Sequence, residues 1–414
     1  MTFLGEKMKI LLAKYILTCD ENFTILHDKA VVFDDKIIEI CDFKNAVKKY
    51  GNEAEILDYR NDFLMPAFIN PHVHLEFSAN RTTLEYGDFL KWLKSVINSR
   101  DELSKEAKNA AIKKQIEILK KSGVGTIGEI SSFGIDTEIC ANSGIRTIFF
   151  NEILGSNPNF INQIWEKFLT RFEYSKNFTN DMFIPAISVH SPYSTAEILT
   201  KKACDFARKN NLLMSTHFLE SGYEREWLDG GNNDFKKYLL QFSENPKPFY
   251  TPKSFIEHFK ELRTLFTHCV FVDDFSVFDV KFHAITHCAV SNRFLSAKTL
   301  DLNKIRASNI NYNIATDGLS SNISLNFLDE LRANLFIHDN ENLCDFSREL
   351  LQNSTSETAK FLGLDLGEIS IGKIADFSIF NGFEVSDENQ IALQIILQNK
   401  NVKKLFIKGK LCEF

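Results

Sequence analysis

Short apolar segments and amphipathic segments alternate through the middle of this chain, and most of the apolar segments end at a histidine or an aspartate. Apolar residues recur at helical spacing between them, for example in Lys105–Lys121 and Ala196–Lys209. A strand followed by a helix, eight times over, predicts an α/β fold of the (β/α)8 type, a TIM barrel, with its chemistry at the carboxyl ends of the strands. The eight predicted strand ends lie near His74, Ile130, Asn151, His190, His217, His268, His287 and Asp317.

The two ends of the chain have a different pattern, with short strand-like runs separated by turns. Lys9–Leu17 is such a run near the N-terminus, and Lys404–Lys410 is one near the C-terminus. We expect both ends to meet in one small β-sandwich domain. The 414 residues would then divide into a β-domain made of residues 1–64 and 370–414 and a barrel made of residues 65–369.

Composition argues against several classes of function. The net charge is -7 and there is no long Lys or Arg run, which disfavours nucleic acid as a partner. No apolar run reaches the length of a membrane span and no signal peptide is recognisable, so we expect a cytoplasmic protein with no membrane partner. The eight cysteines are scattered without a Cys-x-x-Cys pair, which indicates reduced thiols rather than disulfides or a cysteine-based zinc site.

The strongest local signal is a His-x-His at the end of the first predicted barrel strand. Residues i and i+2 of a strand share a face, so His72 and His74 present two imidazoles to one point, as Zn²⁺ or Fe²⁺ binding requires. This spacing alone is equally compatible with buried structural histidines. His217, His268 and Asp317 end three further strands, however. So many titratable groups at one end of a barrel favour a bound cation.

Taken together and in order, these motifs resemble those of the amidohydrolase superfamily. Within it they are similar to the adenosine-type deaminases, which include S-adenosylhomocysteine and methylthioadenosine deaminases. Each motif is short, but the combination is specific and covers nearly the whole chain. The matching segments are Pro66–His74, His190–Tyr193, His217–Glu220, Thr267–Val270, Val290–Asn292, Thr316–Asn322 and Gly372–Asp376.

The resemblance implies a role for each matched position. Asp317 would take the proton of an attacking water, and His268 would hold that water. Glu220 would protonate a ring nitrogen and carry a proton to the departing amine. The fourth strand ends in Ser188–His190, without the Lys, Glu or Cys that bridges two metals in other members, so one metal is implied and His190 would contact substrate. The ligands of this single divalent ion, with Zn²⁺ expected before Fe²⁺, would be His72, His74, His217 and Asp317.

The loops after the strands are similar to those of aminofutalosine deaminases, which act on an adenine nucleoside that carries a benzoate on its 5′ side. The third strand end has Asn151–Gly155 where adenosylhomocysteine deaminases tend to place arginine. In the first loop, Arg100 would pair with the benzoate carboxylate, and Trp92 or Phe77 would flank the aryl ring. Capping or solvation of its own helix is an equally good interpretation of Arg100.

The implied substrate is 6-amino-6-deoxyfutalosine of menaquinone biosynthesis, which hydrolysis converts to futalosine and ammonia. The alternatives are a methylthioadenosine or S-adenosylhomocysteine deaminase, and then a guanine or triazine-type aminohydrolase. A catalytically silent binding protein would be expected to have lost part of the set, whereas this chain keeps Glu220 and Asp317. A homodimer is compatible with the sequence. His287 is expected to support the site without binding metal, and no role is assigned to His27, His258, His283 or His338.

Overall fold

The computed structural model describes residues 8–79, 82–99, 104–231, 234–242 and 244–414. Its strands form two sheets of eight strands each. In chain order the strands are β1 (Lys9–Leu17), β2 (Ile25–His27), β3 (Lys29–Phe33), β4 (Ile37–Asp42), β5 (Glu55–Pro66), β6 (Phe68–Val73), β7 (Val124–Ser131), β8 (Arg146–Ile153), β9 (Phe183–Val189), β10 (Met214–Phe218), β11 (Thr264–His268), β12 (His283–His287), β13 (Asn311–Ile314), β14 (Phe377–Phe380), β15 (Lys404–Ile407) and β16 (Lys410–Cys412).

The α-helices of these residues cover the barrel and one side of the terminal sheet. They are α1 (Phe43–Tyr50), α2 (Phe89–Ser99), α3 (Lys105–Lys121), α4 (Thr137–Ala141), α5 (Ile161–Lys176), α6 (Glu197–Asn210), α7 (Gly222–Leu228), α8 (Asp234–Leu239), α9 (Pro252–His258), α10 (Ala289–Ser296), α11 (Leu302–Ala307), α12 (Phe327–Ile337), α13 (Leu343–Asn353), α14 (Ser356–Leu362) and α15 (Ile391–Gln398).

Strands β6 to β13 form the barrel sheet, in which each strand pairs in parallel with its neighbours along the chain. The amide of Asp317, after β13, donates to the carbonyl oxygen of His72 in β6 at 3.2 Å. The last strand is therefore tied to the first, and the predicted (β/α)8 barrel is confirmed. Helix α3 has the bounds that the sequence predicts, and α6 is shifted by about one residue.

The barrel strands are apolar because helices cover their outer face while side chains fill the interior. Every residue of β6 and β7 is buried. Helix α3 begins where it does because the Ser104 hydroxyl oxygen accepts a hydrogen bond from the Ala107 amide. The histidines and the aspartate that the sequence singled out therefore lie at or just after the strand ends, where the chain leaves the apolar wall.

Strands from both ends of the chain form the second sheet, in the order β16-β15-β14-β5-β1-β3-β4, with β2 paired to β1. Phe33 of β3 contacts Phe406 of β15, with ring centroids 5.9 Å apart, although three strands lie between them. The sheet therefore folds back over an apolar core of its own, which confirms that the termini meet. Strand β5 runs to Pro66, past the predicted division at residue 64.

All eight cysteines are free thiols in the structure. Among the described residues, no helix combines the length and the apolar character that crossing a bilayer requires.

Candidate active site

The predicted metal ligands converge at the carboxyl end of the barrel. His72 lies in β6 and His74 follows it, while His217 lies in β10. Their nitrogen atoms lie within 4.8 Å of one another. The Nε2 atoms of His74 and His217 are 3.1 Å apart. Asp317, after β13, places Oδ1 3.7 Å from Nε2 of His72 and 3.6 Å from Nε2 of His74. Two strands, the residue that follows β6 and the loop after β13 therefore present three imidazoles and a carboxylate to one point.

A second group of three side chains adjoins the first at Asp317. Nε2 of His268 lies 3.4 Å from Oε1 of Glu220 and 3.9 Å from Oδ2 of Asp317. All three residues are buried, and their nitrogen and oxygen atoms lie within 4.8 Å of one another. The two predicted acid–base residues and the residue predicted to hold water thus lie directly beside the predicted ligands.

Sharp turns aim these side chains. Leu219, His268 and Asp317 have φ values of 48°, 74° and 57°, in the left-handed region that residues with a Cβ rarely adopt. Each of them lies at or just after the end of a barrel strand. Strained backbone at the ends of three strands of one barrel is typical of a functional site, because only the surrounding fold can hold it.

Burial sets the protonation of the ligand set. It lowers the pKa of the His72 imidazole well below its ordinary value, and it lowers that of His217 to about 3. Burial acts to raise the pKa of Asp317, but the neighbouring histidines, led by His74, outweigh it and lower that pKa. Neutral imidazole nitrogens and an ionised carboxylate are the forms that bind a divalent cation.

The ligands are oriented by neighbours that sequence reasoning left without a role. Nδ1 of His72 lies 3.2 Å from the Thr267 hydroxyl, and Oδ2 of Asp317 accepts hydrogen bonds from Ser291 at 2.7 Å and Ser321 at 2.9 Å. Nδ1 of His217 lies 2.8 Å from the carbonyl oxygen of residue 190. Thr267, Ser291 and Ser321 all lie within the motifs that carry the family resemblance, which was the available signal.

The donor set fits a single divalent ion. Nε2 of His72 is buried, and no group of the described residues hydrogen-bonds to it. Nε2 of His74 and Nε2 of His217 face each other at 3.1 Å. Three imidazole nitrogens and one carboxylate oxygen match the ligands that Zn²⁺ accepts in catalytic sites. Orphaned nitrogen atoms directed at one point would otherwise be costly, so the arrangement favours a metal centre.

Glu220 is held as a proton donor. Its backbone amide donates to Oε2 of Glu224 at 2.9 Å, which fixes the turn after β10. Burial raises the pKa of the Glu220 carboxyl well above its ordinary value, and the charges of Asp317 and Glu224 add to this. The raised pKa favours the protonated form of the Glu220 carboxyl, which is the form that a general acid needs.

His190 lies at the side of the ligand set nearest to β8. Its ring is 5.0 Å from that of His217, and its Nδ1 is held by the hydroxyls of Ser191 at 3.0 Å and Ser194 at 2.6 Å. A carboxylate oxygen of Glu152 and a ring nitrogen each of His190 and His217 lie within 4.8 Å of one another. The sequence identified the position of Glu152 only as the place where an expected arginine is missing.

The predicted substrate contacts of the first loop are only partly described. The ring of Phe77 lies 6.0 Å from that of His74, at the edge of the site. The indole nitrogen of Trp92, in α2, donates to the carbonyl oxygen of Ser320 at 2.7 Å, which ties the first loop to the last one. Arg100 lies outside the described residues.

Comparison with known proteins identifies the family. Residues 63–412 match the model of the amidohydrolase family. An aminodeoxyfutalosine deaminase of Nitratiruptor is 43% identical over 94% of this chain and 96% of that protein. An adenosine deaminase of Helicobacter pylori is 36% identical over 97% of this chain and 99% of that protein. The chain belongs to the amidohydrolase family and is a hydrolase.

A solved structure agrees with this assignment. The crystal structure of Helicobacter pylori aminofutalosine deaminase in complex with methylthio-coformycin superposes with a TM-score of 0.91. The two sequences are 36% identical, and the match covers 98% of this chain and 100% of the Helicobacter pylori chain. Within the family, the aminofutalosine deaminases are the group to which this chain is similar in both sequence and fold.

Proposed function

We propose that this chain catalyses the hydrolytic deamination of 6-amino-6-deoxyfutalosine, giving futalosine and ammonia, as a step of menaquinone biosynthesis. The observation that carries the deaminase assignment is Glu220, a buried acid with a raised pKa, whose Oε1 lies 3.4 Å from Nε2 of His268. The 43% identical relative and the structure solved with a nucleoside analogue support the choice of nucleoside.

The adenine would lie with its amino-bearing carbon at the metal site. Glu220 would donate its proton to the adjacent ring nitrogen, which makes that carbon more electrophilic. Oδ2 of Asp317 faces the same cavity and would accept the proton of the attacking water. His268 would position this water between the two carboxyl groups. Departure of the amino group as ammonia then requires a proton, and Asp317 would deliver the one that it took from the water. Glu220 would recover the proton of the new hydroxyl group as the carbonyl forms.

The ion proposed for the site is Zn²⁺. His72, His74, His217 and Asp317 would hold it, and it would supply a Lewis acid that lowers the pKa of a bound water. His190 lies beside this set with its Nδ1 already engaged by two serine hydroxyls. Its Nε2 is therefore the atom that would contact the purine or the ribose.

The 5′ side of the nucleoside would extend toward the loop that follows β6. Phe77 lies at that edge, and the exposed ring of Phe133 lies 6.3 Å from it. Together they form an apolar surface suited to an aryl group. Arg100 is proposed as the partner of the benzoate carboxylate through a bidentate pair.

A second candidate is adenosine itself, because one relative of nearly full-length similarity is named an adenosine deaminase. Adenosine would use the same metal site and the same Glu220. It has no aryl carboxylate, so Arg100 would have no partner in the complex.

Purified protein incubated with a panel of adenine nucleosides tests this proposal. We expect the benzoate-bearing nucleoside to have the highest kcat/KM, measured by the ultraviolet change from adenine to hypoxanthine. Arg100→Ala should lower its kcat/KM by about one to two orders of magnitude, as loss of a charge-assisted pair does, and leave adenosine turnover unchanged. Arg100→Lys is the matched control that keeps the charge. Faster turnover of adenosine or methylthioadenosine by the wild-type protein would contradict the proposal.

A further inference from the structure

A chain of hydrogen bonds runs from His268 away from the active site. Nδ1 of His268 lies 2.8 Å from Oδ1 of Asn292, and Nδ2 of Asn292 lies 3.2 Å from Nδ1 of His287. Nε2 of His287 lies 2.9 Å from Nε2 of His338, which also lies 3.4 Å from the hydroxyl of Thr299. The mechanism above uses only the first of these residues.

We propose that Asn292, His287 and His338 are positioning residues that hold His268 as the tautomer protonated at Nδ1, with the Nε2 lone pair facing the water of the active site. The effect of this tautomer on catalysis rests on the proposed function, whereas the tautomer itself can be measured in the protein without substrate. It concerns residues that touch neither substrate nor metal.

The direction of each hydrogen bond follows from the one before it. In the orientation that the structure gives the Asn292 amide, its oxygen faces His268 and accepts, so His268 donates from Nδ1. The amide nitrogen can only donate, so Nδ1 of His287 must accept, and the single proton of its neutral ring is then on Nε2. His287 therefore donates to Nε2 of His338, whose own proton is on Nδ1.

The imidazole rings of His287 and His338 must be neutral for each of them to donate one hydrogen bond and accept another. Burial lowers the pKa of the His287 imidazole well below its ordinary value, and it lowers that of His338 to about 4. His287 and Asn292 are fully buried. Water is excluded, so only two arrangements satisfy every group. In one, the hydrogen bonds are donated as described above; in the other, every donor and acceptor is exchanged.

The two acids of the active site act on this tautomer in opposite directions. Nε2 of His268 lies 3.4 Å from Oε1 of Glu220, whose protonated carboxyl favours a lone pair there, and 3.9 Å from Oδ2 of Asp317, whose carboxylate favours an N–H group. The exchanged chain would place a proton on that nitrogen. The selection must therefore come from the other side of the ring, through Asn292 and the histidines behind it.

His338, the last residue of this chain of hydrogen bonds, allows the proposal to be tested. His338 follows α12 at the edge of the barrel and is 9% exposed. His338→Lys offers only donors to Nε2 of His287 and so forces the exchanged chain. Glu341 and Asp339 are close enough to favour a cation there, although Arg306 opposes it. His338→Gln is the matched control, because its amide can accept from His287 as the native ring does.

We expect His338→Lys to lower kcat by about tenfold or more, as loss of an outer-shell partner does, while KM changes little and His338→Gln stays near the wild-type value. ¹⁵N NMR of histidine-labelled protein without substrate should show the proton of His268 moved from Nδ1 to Nε2 only in the lysine variant. Equal turnover and an equal His268 tautomer in the two variants would overturn the proposal. A tautomer change in a protein that deaminates no nucleoside would support the chain and reject the proposed function.

Two further variants guard against a general loss of stability. Asn292→Asp accepts hydrogen bonds on both sides, so combining it with His338→Lys should restore the Nδ1 proton of His268. His283 is also a buried histidine of β12, but its Nδ1 accepts from the Asp279 amide and its Nε2 lies 3.1 Å from the carbonyl oxygen of Phe259. His283→Gln should therefore lower stability and leave the tautomer of His268 unchanged. If the double variant does not restore the proton on Nδ1 of His268, the proposed chain of hydrogen bonds is contradicted.

Discussion

The carboxyl end of the barrel and the terminal sheet differ in the kind of side chain that they bury. At the barrel end, buried nitrogen atoms such as Nε2 of His72 and Nε2 of His268 have no hydrogen-bond partner among the described residues. In the terminal sheet, apolar side chains such as Phe33 and Phe377 fill the core. Its charged side chains form exposed ion pairs such as Lys29 with Asp42.

This difference separates the part of the molecule that acts from the part that stabilises it. Packing in the sheet lowers the free energy of the folded state directly. Unpartnered polar atoms raise it, and they persist where a ligand completes them. Substitutions in the two regions should therefore affect different measurements.

The largest effect is expected from Asp317→Asn, which removes a proposed metal ligand and the proton acceptor together. Turnover should fall by more than the ~10²–10⁴-fold that a lone acid–base group contributes. Metal content, measured by elemental analysis, should fall as well. Asp345→Asn, a change of an exposed residue in α13, is the control and should alter neither. Full metal content in Asp317→Asn would show that the ion is held without this carboxylate.

Glu220→Gln should be the next most damaging change to turnover. The amide keeps the shape of the side chain but cannot deliver a proton, so kcat should fall by ~10²–10⁴-fold while metal content is retained. Because burial raises the pKa of Glu220, wild-type activity should be lost as pH rises through that raised value. A decrease of kcat below about tenfold would argue against the proton-donor role.

Phe33→Ala tests the other side of the comparison. Phe33 is fully buried between Phe377 and Phe406. Its truncation should lower the free energy of unfolding by about 3–5 kcal/mol, measured by urea denaturation, and leave kcat of the folded enzyme unchanged. Phe336→Ala, at a residue that is 76% exposed, should change stability by less than about 0.5 kcal/mol. A loss of kcat in Phe33→Ala would mean that the sheet shapes the active site.

The smallest effect concerns Glu330, which lies in α12 beneath the site and accepts hydrogen bonds from Asn322 and Val290. Burial raises its pKa to about 8, so between about pH 4.5 and pH 8 the folded state holds a proton that the unfolded state has lost. Stability contributed by this group is present below that window and decreases as pH rises through it. Glu330→Gln should flatten this decrease by up to about 1.4 kcal/mol per pH unit.

Urea denaturation at pH 5 and pH 8 measures this slope. Glu53→Gln, at an exposed position, is the matched control. An unchanged slope in Glu330→Gln would show that the carboxyl group is ionised in the folded protein.

Much of the fold could be predicted because periodicity depends on local geometry. The bounds of α3 and the strand-end positions of His217 and His268 follow from apolar spacing alone. The choice of His72 and His74 as a pair follows from the two-residue repeat of a strand. The division at residue 64 stays a prediction; β5 continues to Pro66, and no compositional change marks where one sheet gives way to the other.

The sequence by itself determined which side chains reach the carboxyl end of the barrel, because a strand fixes the direction of its own residues. Only the tertiary structure decided which residues hydrogen-bond to those side chains from the side away from the active site. Asn292 lies between His268 and His287, and His338 comes from a helix that is far along the chain. The direction of a hydrogen bond depends on both partners, and no local pattern in a single segment specifies the partner that another segment will supply.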